Sequence, residues 1–206
     1  MMQSLPVWTK TAAALALACC GAAVSAAPVS FSVTATSFTA GPGYGVDANE
    51  ANGTLLNVSF AATGALNTFS LANVGDSFSF KFGTIVLLET GLISAAETDG
   101  LGVTATFSFD DPLSGLRNVT ATGTATAGPV ADIGVDYHID WAPTIVSFGS
   151  GGSFEIDMNS LNFRQTDATR QQNATITLLS ASVPEPTSLA LAGLALAGLG
   201  FSRRRR

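Results

Sequence analysis

The sequence predicts an all-β body: an antiparallel β-sandwich or jelly roll of about ten short strands. Three observations predict it. Several stretches alternate apolar and polar side chains, the period-two pattern of strands with one buried face. Turn signals punctuate them, at Gly41-Pro42-Gly43, Asn52-Gly53, Asp99-Gly100, Asp110-Asp111-Pro112 and Gly149-Ser150-Gly151-Gly152. No long stretch carries the apolar spacing of an amphipathic helix.

Taken in chain order, residues 29–39 (VSFSVTATSFT) set Val29, Phe31, Val33 and Ala35 on one face. Residues 77–82 do the same with Phe78, Phe80 and Phe82, and an apolar run at 85–88 follows. Residues 92–97 suit a single helical turn. Residues 103–109 place Val103, Ala105, Phe107 and Phe109 together. Between 120 and 126, Thr120, Thr122, Thr124 and Thr126 alternate with Ala121, Gly123 and Ala125. Regular threonine rows order water on some surfaces, but the β-propensity of threonine alone accounts for an exposed strand here. Residues 135–141 oppose Tyr137, Ile139 and Trp141 to Asp136, His138 and Asp140. Residues 145–146 and 153–158 flank the glycine-rich signal and read as a hairpin, with Phe154, Ile156 and Met158 inward. Residues 174–178 form a further strand. Twelve of the thirteen phenylalanines lie between residues 27 and 182, enough to fill the space between two sheets.

The whole chain of 206 residues is 47% hydrophobic and 12% charged, greasy for a soluble domain. The excess sits at the ends. Residues 1–26 and 183–206 hold 29 hydrophobic residues out of 50, and the body holds 67 out of 156. The N-terminal 26 residues read as a secretory signal peptide: Lys10, an uncharged apolar run at 11–24, then Val24-Ser25-Ala26. Signal peptidase is expected to cut between Ala26 and Ala27. Cys19 and Cys20 leave with that segment, so the mature chain has no cysteine for a disulfide, a thiolate metal site or a nucleophile.

The C-terminus has three parts in order: Val183-Pro184-Glu185-Pro186, an apolar run at 189–201, and Arg203, Arg204, Arg205 and Arg206. The prolines keep their stretch extended and accessible. The apolar run is about 20 Å long as a helix, shorter than a hydrocarbon core of about 30 Å. The arginines hold its end on the cytoplasmic side. This tail resembles the PEP-CTERM sorting signal of Gram-negative bacteria. The resemblance covers residues 183–206 only. It implies recognition by exosortase, an intramembrane transpeptidase, with Glu185 and the two prolines as recognition residues. It also implies a transient membrane anchor, cleavage near Pro184-Glu185-Pro186, and release to the cell surface or extracellular matrix. The chain thus divides into a signal peptide (1–26), a β-sandwich domain (27–182) and a sorting signal (183–206).

Within the body, four basic residues face fourteen acidic ones, a formal charge of −10. Such a charge excludes an electrostatic nucleic-acid binder. The best cluster for a ligand or metal is Asp136, His138 and Asp140, which share one strand face at spacing of two. Asp110 with Asp111, and Asp157 with Asn159, are weaker calcium candidates that turn chemistry explains equally well. No cofactor is expected, calcium being the one ion these pairs suggest. The chain carries no nucleophile elbow, no His-Glu-x-x-His and no phosphate loop. The expected function is that of an exported, non-enzymatic surface or matrix protein, structural or adhesive in exopolysaccharide or biofilm. The alternatives are a carbohydrate- or calcium-binding module and a surface hydrolase.

Overall fold

A computed structural model describes residues 27–48, 53–64 and 66–181. The expected signal peptide, the Pro-Glu-Pro motif, the apolar run and the arginine cluster lie outside the described residues. Among the described residues, no helix is long and apolar enough to cross a membrane.

The all-β sandwich expectation holds, with thirteen strands among the described residues. One sheet of six strands is assembled from β1 (Val29–Ala40), β3 (Asn67–Leu71), β6 (Gly102–Asp111), β7 (Gly115–Ala125), β9 (Tyr137–Trp141) and β12 (Leu161–Phe163), in the order β12-β9-β7-β6-β1-β3. The second sheet has β2 (Val58–Ala62), β4 (Ser77–Leu87), β10 (Thr144–Phe148), β11 (Gly152–Met158) and β13 (Ala168–Ser180), in the order β10-β11-β13-β4-β2. A small ribbon pairs β5 (Leu92–Ile93) with β8 (Gly128–Pro129). All of these strand pairs are antiparallel.

Phenylalanine rings join the sheets. Phe31 and Phe109 of the six-stranded sheet lie 5.2 and 5.4 Å from Phe154 of the other, centroid to centroid. Phe82 stands 4.7 Å from Phe107. All five rings are fully buried or nearly so, and each contributes about 1.5–3 kcal/mol by leaving water. Val103, Ala105, Phe107 and Phe109 face the core together, as do Tyr137, Ile139 and Trp141, and Phe154, Ile156 and Met158. The hairpin read at 145–156 is β10–β11, with Val146 opposite Phe154.

Two strands depart from the expected alternation. In β1, Val29, Phe31 and Val33 are buried, but Ala35 is exposed and Phe38 turns inward instead. A register shift against β6 between Val33 and Ala35 inserts an extra residue, and one extra residue exchanges the two faces of a strand. In β4 the runs 77–82 and 85–88 are one strand. Its inward residues change from Phe80 and Phe82 to Ile85 and Leu87, where β13 slips between Gln172 and Asn173. The turn expected at 92–97 is a single 3₁₀ turn at Ala95–Thr98, preceded by β5.

Candidate functional site

The three residues grouped on one face, Asp136, His138 and Asp140, do not converge. Asp136 precedes β9 and is 4% exposed. Its Oδ2 accepts the Ala131 N–H at 3.2 Å, which holds the loop that leads into the strand. His138 and Asp140 do point outward from β9. His138 Nδ1 is hydrogen-bonded to Asn162 Oδ1 at 2.9 Å, and Asp140 Oδ1 accepts the Ser160 hydroxyl at 2.5 Å. Each residue is therefore occupied by a neighbour of its own. Among the described residues, no group of three or more His, Cys, Asp or Glu side chains is placed to hold a metal ion.

Asp110 and Asp111 are exposed at the end of β6. Asp157 is exposed on β11, and Asn159 serves the core: its Oδ1 accepts the Asn173 N–H and the Gln172 side-chain amide. A surface depression of about 500 Å³ lies beside residues 126–136. Its two carboxylates are engaged with backbone, Asp132 on the Gly134 N–H and Asp136 on that of Ala131.

The threonine row does face solvent, and the register widens it into a patch. Thr39 of β1, Thr104 of β6 and Thr120 of β7 stand abreast. So do Ser37, Thr106 and Asn118, with the Thr106 hydroxyl donating to Asn118 Oδ1 at 3.0 Å. Further along β7, Thr122 lies beside Asp140, and Thr124 beside His138, which in turn pairs with Asn162. Adjacent strands space these groups by about 4.8 Å, and alternate residues by about 6.8 Å. The patch is rich in hydroxyls and amides, and Asp140 is the one carboxylate within it.

Behind the patch, Tyr44 and Tyr137 are bonded to each other at 2.7 Å. Tyr44 Oη donates to the Leu101 carbonyl at 2.9 Å, so the Tyr137 hydroxyl donates to Tyr44. Burial pushes the Tyr44 phenol up to about 12, against a smaller opposing effect of its bond to Tyr137. The Tyr137 phenol is raised further, by burial first and then by Tyr44 beside it. A side chain at Gly123 would collide with this pair: its Cβ would overlap Tyr44 Oη and lie 2.9 Å from both Leu101 O and Tyr137 Cε2.

Sequence reasoning missed one acidic pair. Glu97 is fully buried at the 3₁₀ turn, and its Oε1 and Asp47 Oδ2, from the loop between β1 and β2, both border the space a Cβ would fill at Gly53. The local part was readable, because Ser94 and Glu97 make a capping box, Ser-x-x-Glu. The partner, Asp47, is brought in by tertiary folding and leaves no local signal.

Comparison with curated proteins and with solved structures gives no match to this chain. Residues 182–206 do match a family model, so the tail that follows the sandwich is a PEP-CTERM protein-sorting motif.

Proposed function

We propose that this chain is an exported, non-enzymatic surface or matrix protein whose sandwich body is structural or adhesive within an extracellular polysaccharide layer. The PEP-CTERM tail implies export and sorting to the cell surface through exosortase. In this reading, signal peptidase removes residues 1–26, exosortase cuts near Pro184-Glu185-Pro186, and the body is left outside.

The observation that supports the adhesive role is the patch of Ser37, Thr39, Thr104, Thr106, Asn118, Thr120, Thr122 and Thr124 on the open face of the six-stranded sheet. Hydroxyls and amides donate and accept alike, which matches the hydroxyls of a neutral sugar chain. The net charge of the body disfavours an acidic polysaccharide unless cations bridge the two.

Cosedimentation of the mature protein with neutral polysaccharide from the same culture tests this. Wild type is expected to cosediment, and the double variant Thr104→Glu, Thr120→Glu to lose most of that binding while staying folded. Equal binding by both proteins, or none by wild type, would overturn the adhesive role.

A further inference from the structure

We propose that Glu97 and Asp47 form a site for a divalent cation of the calcium class, at Gly53 in the loop between β1 and β2. This goes beyond the polysaccharide reading and does not depend on it.

Glu97 is 0% exposed. Its Oε2 accepts the Ser94 N–H in the capping box. Its Oε1 is buried and has no hydrogen-bond partner among the described residues. A buried carboxylate oxygen left unpaired is costly, and native folds rarely tolerate one without a reason. The direction in which it points supplies the reason. A Cβ at Gly53 would overlap Glu97 Oε1 and lie 2.9 Å from Asp47 Oδ2. Both carboxylate oxygens therefore border the same point above Gly53, a residue with no side chain to fill it. Asp47 is fixed in place, since its Oδ2 accepts the Thr54 and Leu55 N–H groups at 2.6 and 2.7 Å.

Among the described residues, no protein cation is committed to this pair. The body has three arginines, and each is bonded elsewhere: Arg117 to Leu116 O, Arg164 to Ile133 O and Arg170 to Asn162 O. His138 is held by Asn162. Lys81 is exposed on β4, in register with Asn173. Two close carboxylates repel unless a positive charge sits between them. The donor atoms at hand are oxygens only, including the Gly53 carbonyl that accepts the Ser94 hydroxyl at 2.7 Å. Oxygen donors without imidazole or thiolate select a hard cation over zinc or copper. Calcium fits better than magnesium, because it accepts irregular sets of carboxylate, carbonyl and water ligands. Two carboxylates suit the weak affinity of extracellular modules, about 0.1–1 mM. A bound cation ties the β1–β2 loop to the 3₁₀ turn at Ala95–Thr98.

The test is thermal unfolding of the mature protein after chelator treatment, with calcium chloride added back to about 10 mM and magnesium chloride in parallel. Tm is expected to climb with calcium, half-saturating near 0.1–1 mM, and to respond less to magnesium. Glu97→Gln keeps the shape and the Ser94 contact but removes the charge, so its calcium-dependent rise should vanish. Asp47→Asn serves as the second variant and should weaken calcium at least about tenfold, read by equilibrium dialysis. A wild-type Tm indifferent to calcium would overturn the site. So would a full calcium response retained in both variants.

Discussion

The indole Nε1 of Trp141 donates to Gln172 Oε1 across the sandwich, at 3.0 Å. Trp141 belongs to β9 of the six-stranded sheet and Gln172 to β13 of the other, so this bond spans the two layers. Gln172 is fully buried, and its Nε2 donates to the Asn159 carbonyl at 2.8 Å. One side chain thus joins both sheets and the turn between β11 and β12. Its position beside the register shift with β4 places a polar residue where the pleat is already interrupted.

Replacing Gln172 with Leu strands the buried Trp141 N–H, while the Asn159 carbonyl, on an exposed residue, can turn to water. One unpaired buried group costs about 1–3 kcal/mol, which is the expected loss, measured by urea denaturation. Gln172→Glu should be worse at neutral pH, because it also buries a charge. A Gln172→Leu variant as stable as wild type would mean that the bond between the sheets contributes nothing.

The tyrosine pair sets the alkaline limit. A phenol ionises near 10 in the unfolded chain, and Tyr44 is held up to about 12 in the fold, with Tyr137 raised as well. Folding therefore favours the neutral phenols. That contribution is complete below about pH 10 and is lost as pH rises through the folded values. Wild type should lose stability steeply above about pH 10. The double variant Tyr44→Phe, Tyr137→Phe should be less stable at pH 7 but have a flatter profile from 10 to 12. Parallel profiles would remove the pair as the cause. Gly123→Ala, which forces a methyl into the same pair, should destabilise at every pH.

Packing makes a graded prediction. Phe154 is fully buried between Phe31, Phe109 and Phe148, whereas Phe78 sits at the rim, 36% exposed and stacked on Phe69 at 4.2 Å. Phe154→Ala should cost about 3–5 kcal/mol, the usual penalty for a large core truncation. Phe78→Ala should cost well under half of that, since water already reaches the ring. Equal losses in denaturant titrations would contradict the placement of Phe154 in the core and Phe78 at its rim.

Most of the legible strands are central ones with strong contrast. β6 shows Val103, Ala105, Phe107 and Phe109 against Thr and Ser, and both its neighbours cover it. In the two main sheets, the three strands not read from the sequence, β2, β3 and β12, all lie at sheet edges. β2 and β3 are half-buried in alternation at best, so their apolar signal is weak. The face of β1 was misjudged beyond Val33, where a bulge changes the phase, and the runs on either side of the shift in β4 were not joined into one strand. The sign was present, as the large residues pass from odd to even positions between Val33 and Phe38, but a single period imposed on the stretch hides it. At the candidate sites, period two correctly put His138 and Asp140 outward. Asp136 lies beyond the strand end, where the loop and not the pleat orients it. The Asp47 contact depends on a loop folding back and has no periodic trace at all.

Sorting should be separable from folding. β13 ends at Ser180, whose hydroxyl donates to the Gly151 carbonyl at 2.7 Å, and Ala181 still packs on the core. The sandwich is thus closed before the motif at Pro184-Glu185-Pro186 begins. Replacing Pro184, Glu185 and Pro186 together by Ala should leave the melting temperature of the body unchanged, because β13 and the packing of Ala181 both precede them. It should abolish processing, so that the precursor stays with the inner membrane and keeps its four terminal arginines. Mass spectrometry of cell-surface and membrane fractions reads both results, and wild type from the surface should begin at Ala27 and end near the motif. An intact arginine tail on wild-type surface protein would refute cleavage. A lowered melting temperature in the triple variant would show that the motif takes part in the fold.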